Sequence, residues 1–150
     1  MRDRYGGPDV VEIRDVPKPT PGPGDVLVRV KAASVNRADL DGLYPRWAFI
    51  RLFLGLRAPR QSYRRLGIDL AGTVEEVGAG VTTFKPGDDV FSDLSTGAGG
   101  AFAEYVSAPQ KTFSPMPPGL SYEDAACLPH SGVLAVRAFS KRGGQVVKAG

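Results

Sequence analysis

The chain has 150 residues, 42% of them hydrophobic and 23% charged, with a formal net charge of +3 and a pI near 9.2. This composition supports one core-bearing globular domain and excludes a disordered polar chain. There is no apolar run of about 18 residues, so no transmembrane helix is expected; the amino terminus MRDRYGG lacks the apolar stretch of a secretory signal, and the lone Cys127 can form neither an internal disulfide nor a multi-thiolate metal site. A cytoplasmic location is the resulting expectation.

In chain order, VPKPTPGPGD (Val16 to Asp25) is a turn-rich connector. The VLVRVKA run behind it alternates as a half-buried strand, with Val26, Val28 and Val30 on one face and Arg29 and Lys31 on the other. SVNRADL (Ser34 to Leu40) then places an asparagine, an arginine and an aspartate within four positions of the strand exit. LAGTVEEV (Leu70 to Val77), DVF (Asp89 to Phe91) and FAEYV (Phe102 to Val106) are further strand candidates. Turn chemistry separates them at 78–80, 85–89 and 96–100, and the last, TGAGG, reads as a hairpin turn. Past Pro117 the pattern becomes helical. Ser121 caps a helix, with Asp124 three residues on as an imperfect capping box, and Pro129 interrupts the run that follows. A second helix, SGVLAVRAFSKR, is expected to stop at Lys141 and Arg142 before Gly143 and Gly144. The fold class is therefore mainly β with C-terminal helices.

Two polar positions invite a functional reading. Asn36 offers a donor and an acceptor without net charge, although Asn36 and Asp39 are equally suited to bonding local backbone where the strand ends. His130, neutral at pH 7, has the chemistry to donate to a substrate oxygen or relay a proton, or to serve as a satisfied structural group beside a helix start. The segment Arg46 to Arg65 carries six arginines and no acid. It reads as a lid over a substrate entrance with Trp47, Phe49 and Phe53 partly buried; anionic membrane contact and nucleic-acid binding are the alternatives. Its apolar side chains point almost all round a helix, so a clean interfacial face is not expected, and nucleic acid is not expected as a partner.

Taken together, RYGGPDV, PGPGDVLVRVKAASVNRADL, LGIDLAGTVEEVGAGVTTFKPGDDVF, GAFAEYV and AACLPHSGVLAVRAF closely resemble the medium-chain dehydrogenase/reductase superfamily, especially its zinc-independent quinone oxidoreductase-like branch. The resemblance implies a GroES-like catalytic domain, a partly open β-barrel, over residues 1–120. Residues 121–150 would be a helical connector toward a Rossmann cofactor domain, and the chain reads as truncated before the glycine-rich turn that would cradle a pyrophosphate. Zinc-type members place a Cys where Asn36 stands, His-Glu where Ile68-Asp69 stands, and a Cys where His130 stands. Of those three metal-ligand positions only His130 retains a good ligand, so no zinc is expected.

By the same resemblance Asn36 faces the nicotinamide ribose or the substrate carbonyl. His130 and Ser131 lie across the cleft, and Leu134 takes a position where many relatives carry a threonine near the nicotinamide. Tyr44 and Trp47 line the substrate pocket. The implied activity is reduction of a quinone, enone or other carbonyl by NADPH or NADH, bound mainly by the missing domain, in a protein that is a homodimer when full length. A zinc-type alcohol dehydrogenase, a non-enzymatic GroES-like binding module and a basic membrane-associated protein are the alternatives.

Overall fold

The computed structural model describes residues 1–45, 48–97 and 99–139. Five strands form one antiparallel sheet: β1 (Asp25–Ser34), β2 (Asp69–Val77), β3 (Asp89–Asp93), β4 (Tyr105–Pro109) and β5 (Phe113–Pro115), in the spatial order β4-β1-β2-β3-β5. Helix α1 (Arg37–Leu43) leaves the end of β1, α2 (Ala48–Leu54) follows, and α3 (Tyr122–Ala126) and α4 (Pro129–Phe139) close the described chain. Among the described residues no helix is long and apolar enough to cross a membrane. The architecture is the expected one, mainly antiparallel β with C-terminal helices.

The alternation read in β1 is real. Val26 and Val28 are fully buried and Val30 packs beside them, in a core with Leu70, Val74, Phe84, Val90 and Phe113. The opposite face is also covered, because Ala125 and Ala126 of α3 lie against Ala71. Small side chains there let a helix approach the sheet closely. Central β2 is consequently buried on both sides from Asp69 to Gly72.

A register shift decides what the end of β1 presents. Val30 pairs with Gly72, but Ala32 pairs with Ala71 and Ser34 with Asp69, so Lys31 is an extra residue. One inserted residue transfers every later side chain to the other face. Ala32 and Ser34 thereby join the face of Ala71 and Asp69, away from the valine core. The strands also approach tightly at this point: a Cβ on Gly72 would stand 2.2 Å from the Arg29 carbonyl oxygen.

Four local expectations are corrected. TGAGG does not close a hairpin, because β3 and β4 are not neighbours; β4 pairs with β1 instead. The loop folds back onto Gly67, whose carbonyl accepts from the Gly100 and Ala101 N–H groups at 2.8 and 3.0 Å. Gly67 has φ +87°, and a Cβ there would meet the Phe102 nitrogen at 2.6 Å. Held by this clasp, Phe102 to Glu104 stay outside β4, which starts at Tyr105. Pro129 does not interrupt a helix but begins one, as its fixed φ and missing N–H permit at a first position. In the Arg46 to Arg65 segment Phe49 is 63% exposed, not partly buried; Trp47 and the Phe53 side chain lie outside the described residues, as do the stop signals at Lys141 to Gly144. The outer strands β4 and β5 are five and three residues long and end in Pro109 and Pro115.

Candidate functional site

The site grows from one row of the sheet. In register, Ser34 of β1 faces Asp69 of β2, and Asp69 faces Asp93 of β3. Two neighbouring carboxylates would repel unless donors were directed at them, and the elements beyond the strand ends provide these.

Asn36 stands at the N-cap of α1. Its Oδ1 accepts from the Ala38 N–H at 2.9 Å, and Asp39 Oδ2 accepts from the Asn36 N–H at 3.0 Å, completing a capping box. The Asn36 Nδ2 amide donates to Asp69 Oδ2 at 3.0 Å, with the Ser34 hydroxyl at 3.5 Å from the same oxygen. The amide has a second N–H, so Asn36 combines structural roles with a remaining donor.

From the other side comes the first turn of α4. The His130 backbone N–H donates to Asp69 Oδ1 at 3.1 Å, placing a carboxylate at the positive end of an eleven-residue helix. The His130 ring approaches Asp93 through Nδ1, 3.1 Å from Oδ2. Asp69, only 1% exposed, therefore joins β1, α1 and α4 through a single carboxylate.

The three carboxyls differ in electrostatic setting. Burial pushes Asp69 above its ordinary 3.8; the His130 N–H opposes this and the charge of Asp93 adds to it. Burial likewise raises Asp39, against the bonds from the Asn36 and Gly67 N–H groups. For Asp93 burial also acts upward, but the Ser95 and His130 donors outweigh it and hold the carboxyl below the usual range.

The raised groups set a sign for stability against pH. A carboxyl with a folded pKa above its unfolded one contributes stability that is full below the unfolded value and lost as pH rises through the folded value. Asp39→Asn keeps the acceptor for the Asn36 N–H but cannot ionise. Wild type should accordingly lose stability relative to Asp39→Asn as pH rises from 3.8 upward. Urea unfolding across that range measures the gap, and a gap that stays constant or reverses would contradict the assignment.

The remaining expected site residues divide. Ser131 is exposed on α4 beside His130, and Leu134, 52% exposed, lies one turn further on the same side. Tyr44 is elsewhere, at the C-cap of α1, 62% exposed. It lines an open cavity of about 630 Å³ with Leu40, Leu43, Pro45, Pro8 and Arg51. Seven helical residues separate this cavity from Asn36, about 10 Å at 1.5 Å per residue. Among the described residues no group of three His, Cys, Asp or Glu side chains is placed to hold a metal ion. Sequence reasoning did not find the joint role of Asp69 or the pairing of Asp93 with His130. The available signal was a carboxylate inside the otherwise apolar start of a strand, IDLAG.

Residues 22–118, more than half of the chain, match the alcohol dehydrogenase GroES-like domain. The chain belongs to this family. It is 35% identical over 144 residues to the chloroplastic quinone-oxidoreductase QR1 of Triphysaria versicolor, covering 93% of the chain and 40% of that protein. To the quinone oxidoreductase of Lama guanicoe it is 37% identical over 136 residues, covering 90% and 38%. The Escherichia coli quinone oxidoreductase solved in complex with NADPH superposes with a TM-score of 0.78 at 26% identity, covering 93% of the chain and 39% of that structure. These relatives agree with the resemblance to zinc-independent, quinone oxidoreductase-like medium-chain dehydrogenase/reductases. The GroES-like chain spans about two fifths of the length of the curated relatives it matches.

Proposed function

We propose that this GroES-like chain is the catalytic-domain portion of a zinc-independent NAD(P)H-dependent oxidoreductase acting on quinones, enones or other carbonyl compounds. The observation that carries the reading is the convergence of Asn36 and His130, from opposite elements, on Asp69. The names of the relatives and the NADPH complex of one of them supply the reaction class.

Zinc does not fit the donor set. Asn36 Oδ1 is held by Ala38 N–H and its Nδ2 points at Asp69, while Ile68 has no ligand atom. That leaves His130 of the three positions, where catalytic zinc needs about three protein ligands.

A nicotinamide cofactor fits better. Bound and reduced, it supplies the hydride. The second N–H of Asn36 and the Ser131 hydroxyl would meet its nicotinamide end, and Leu134 offers an apolar surface there; the phosphates would be held by a following Rossmann domain. Negative charge developing on the substrate oxygen would be met by Asn36 and His130, a role worth most where water is excluded. Tyr44 would face the body of the substrate from the far end of α1. The complete enzyme is read as a cytoplasmic homodimer.

The complete protein with its cofactor domain should oxidise NADPH when a quinone is added, carry substoichiometric zinc, and keep its activity after chelation. The 150-residue chain alone should show no measurable NADPH affinity. Stoichiometric zinc with activity lost on chelation would overturn the zinc-free assignment, and saturable micromolar NADPH binding by the short chain would overturn the division of labour.

A further inference from the structure

We propose that Asp93 is a positioning residue that fixes the proton of His130 on Nδ1 and leaves Nε2 to exchange a proton with the substrate oxygen. The proposal rests on the reading of His130 as a cleft group.

The pair is held on both sides. Asp93 Oδ1 accepts from the Ser95 N–H at 2.7 Å, which fixes the carboxylate plane and leaves Oδ2 for the ring, 3.1 Å away. The His130 backbone is tied through its own N–H to Asp69, on the strand paired with that of Asp93. Both side chains are largely buried, 19% exposed for His130 and 13% for Asp93. An ionised carboxylate only accepts hydrogen bonds, so the ring nitrogen facing it carries the proton. Ser95 and His130, donating to Asp93, favour that ionised form against the cost of burial.

The consequence is chemical. A neutral imidazole with Nδ1–H has a lone pair at Nε2 and no second donor, so neutral His130 accepts a proton; the imidazolium donates one. In the reducing direction the Nε2–H bond of the imidazolium breaks as the O–H bond of the product forms. The electron pair stays on Nε2, the ring is left neutral with its proton on Nδ1, and water restores the lost proton. This sharpens the sequence expectation that the neutral ring donates to a substrate oxygen, because that donor is already directed at Asp93.

His130 is the single histidine of the chain, so its ring nitrogens give one unambiguous set of signals. In ¹⁵N NMR of the 150-residue protein, at a pH where the ring is neutral, Nδ1 should show the protonated pattern and Nε2 the unprotonated one. In Asp93→Asn the Ser95 N–H should keep the amide oxygen in place and direct the NH₂ group at Nδ1, reversing the pattern. A wild-type ring protonated on Nε2 overturns the proposal, whether or not the variant folds, and so does an unchanged tautomer in folded Asp93→Asn. In the complete enzyme Asp93→Asn should lower kcat by about 10² with KM for NADPH unchanged, as His130→Gln should. A wild-type kcat in Asp93→Asn, with His130→Gln impaired, also overturns it. Absence of any reductase activity in the wild-type enzyme would defeat the functional reading alone, since the NMR result stands without turnover.

Discussion

Asn36→Ala in the complete enzyme should lower catalytic efficiency by about 10² to 10³, the effect of losing one donor aimed at developing oxyanion charge. The structure adds a second consequence. Asn36 caps α1 and donates to buried Asp69, so alanine also removes a cap worth about 1 kcal/mol and leaves Asp69 Oδ2 short of a donor. A fall in rate with Asn36→Ala alone would therefore mix two causes. Asn36→Ser separates them, because serine is as good an N-cap acceptor but has no amide to reach the substrate. Its melting temperature should lie closer to wild type than that of Asn36→Ala while turnover remains depressed. Wild-type turnover in Asn36→Ser would show that SVNRADL is a capped strand exit with no part in the chemistry.

Leu70→Ala should destabilise the fold by about 2 to 5 kcal/mol, toward the upper part of that range. The cost of a deletion depends on how far the surroundings can collapse into the space. Leu70 is fully buried among Val26, Val28, Val74, Val90 and Phe113. Its backbone is held between β1 and β3, and its neighbours Asp69 and Ala71 are fixed on the opposite face by α4 and α3. Little can move inward. Leu134→Ala, on an exposed helix surface, should stay within about 0.5 kcal/mol and serves as the comparison. Urea unfolding of both variants measures the difference, and a loss below about 1 kcal/mol at Leu70 would mean that the sheet relaxes around it.

The fold was legible where a local pattern determines it. Val26, Val28 and Val30 announce a buried strand face, and Ser121 does cap a helix, its Oγ accepting from the Asp124 N–H. What was not legible depends on partners distant in sequence. The extra residue at Lys31 leaves no mark in β1 itself, because it exists only in the pairing with β2. FAEYV reads as a strand by propensity, yet its first three residues are held outside β4 by the clasp on Gly67 and by the Val30 N–H, which donates to the Glu104 carbonyl. For the candidate site, Asn36 and His130 stood out through the family blocks, whereas Asp69 and Asp93 did not. Asp69 is separated by 33 residues from Asn36 and by 61 from His130, and Asp93 by 37 from His130. A carboxylate whose partners arrive only with the tertiary fold looks, in a lone sequence, like any other charged strand residue.

The two outer strands carry a last consequence. A sheet with free margins risks recruiting a strand from another molecule through its unpaired N–H and C=O groups. β4 and β5 leave little purchase for such recruitment, since each is short and finishes in a proline, a residue with no N–H to offer. The GroES-like sheet can therefore remain open at its margins, with the exit of β1 free to serve the site, without acting as a template for aggregation.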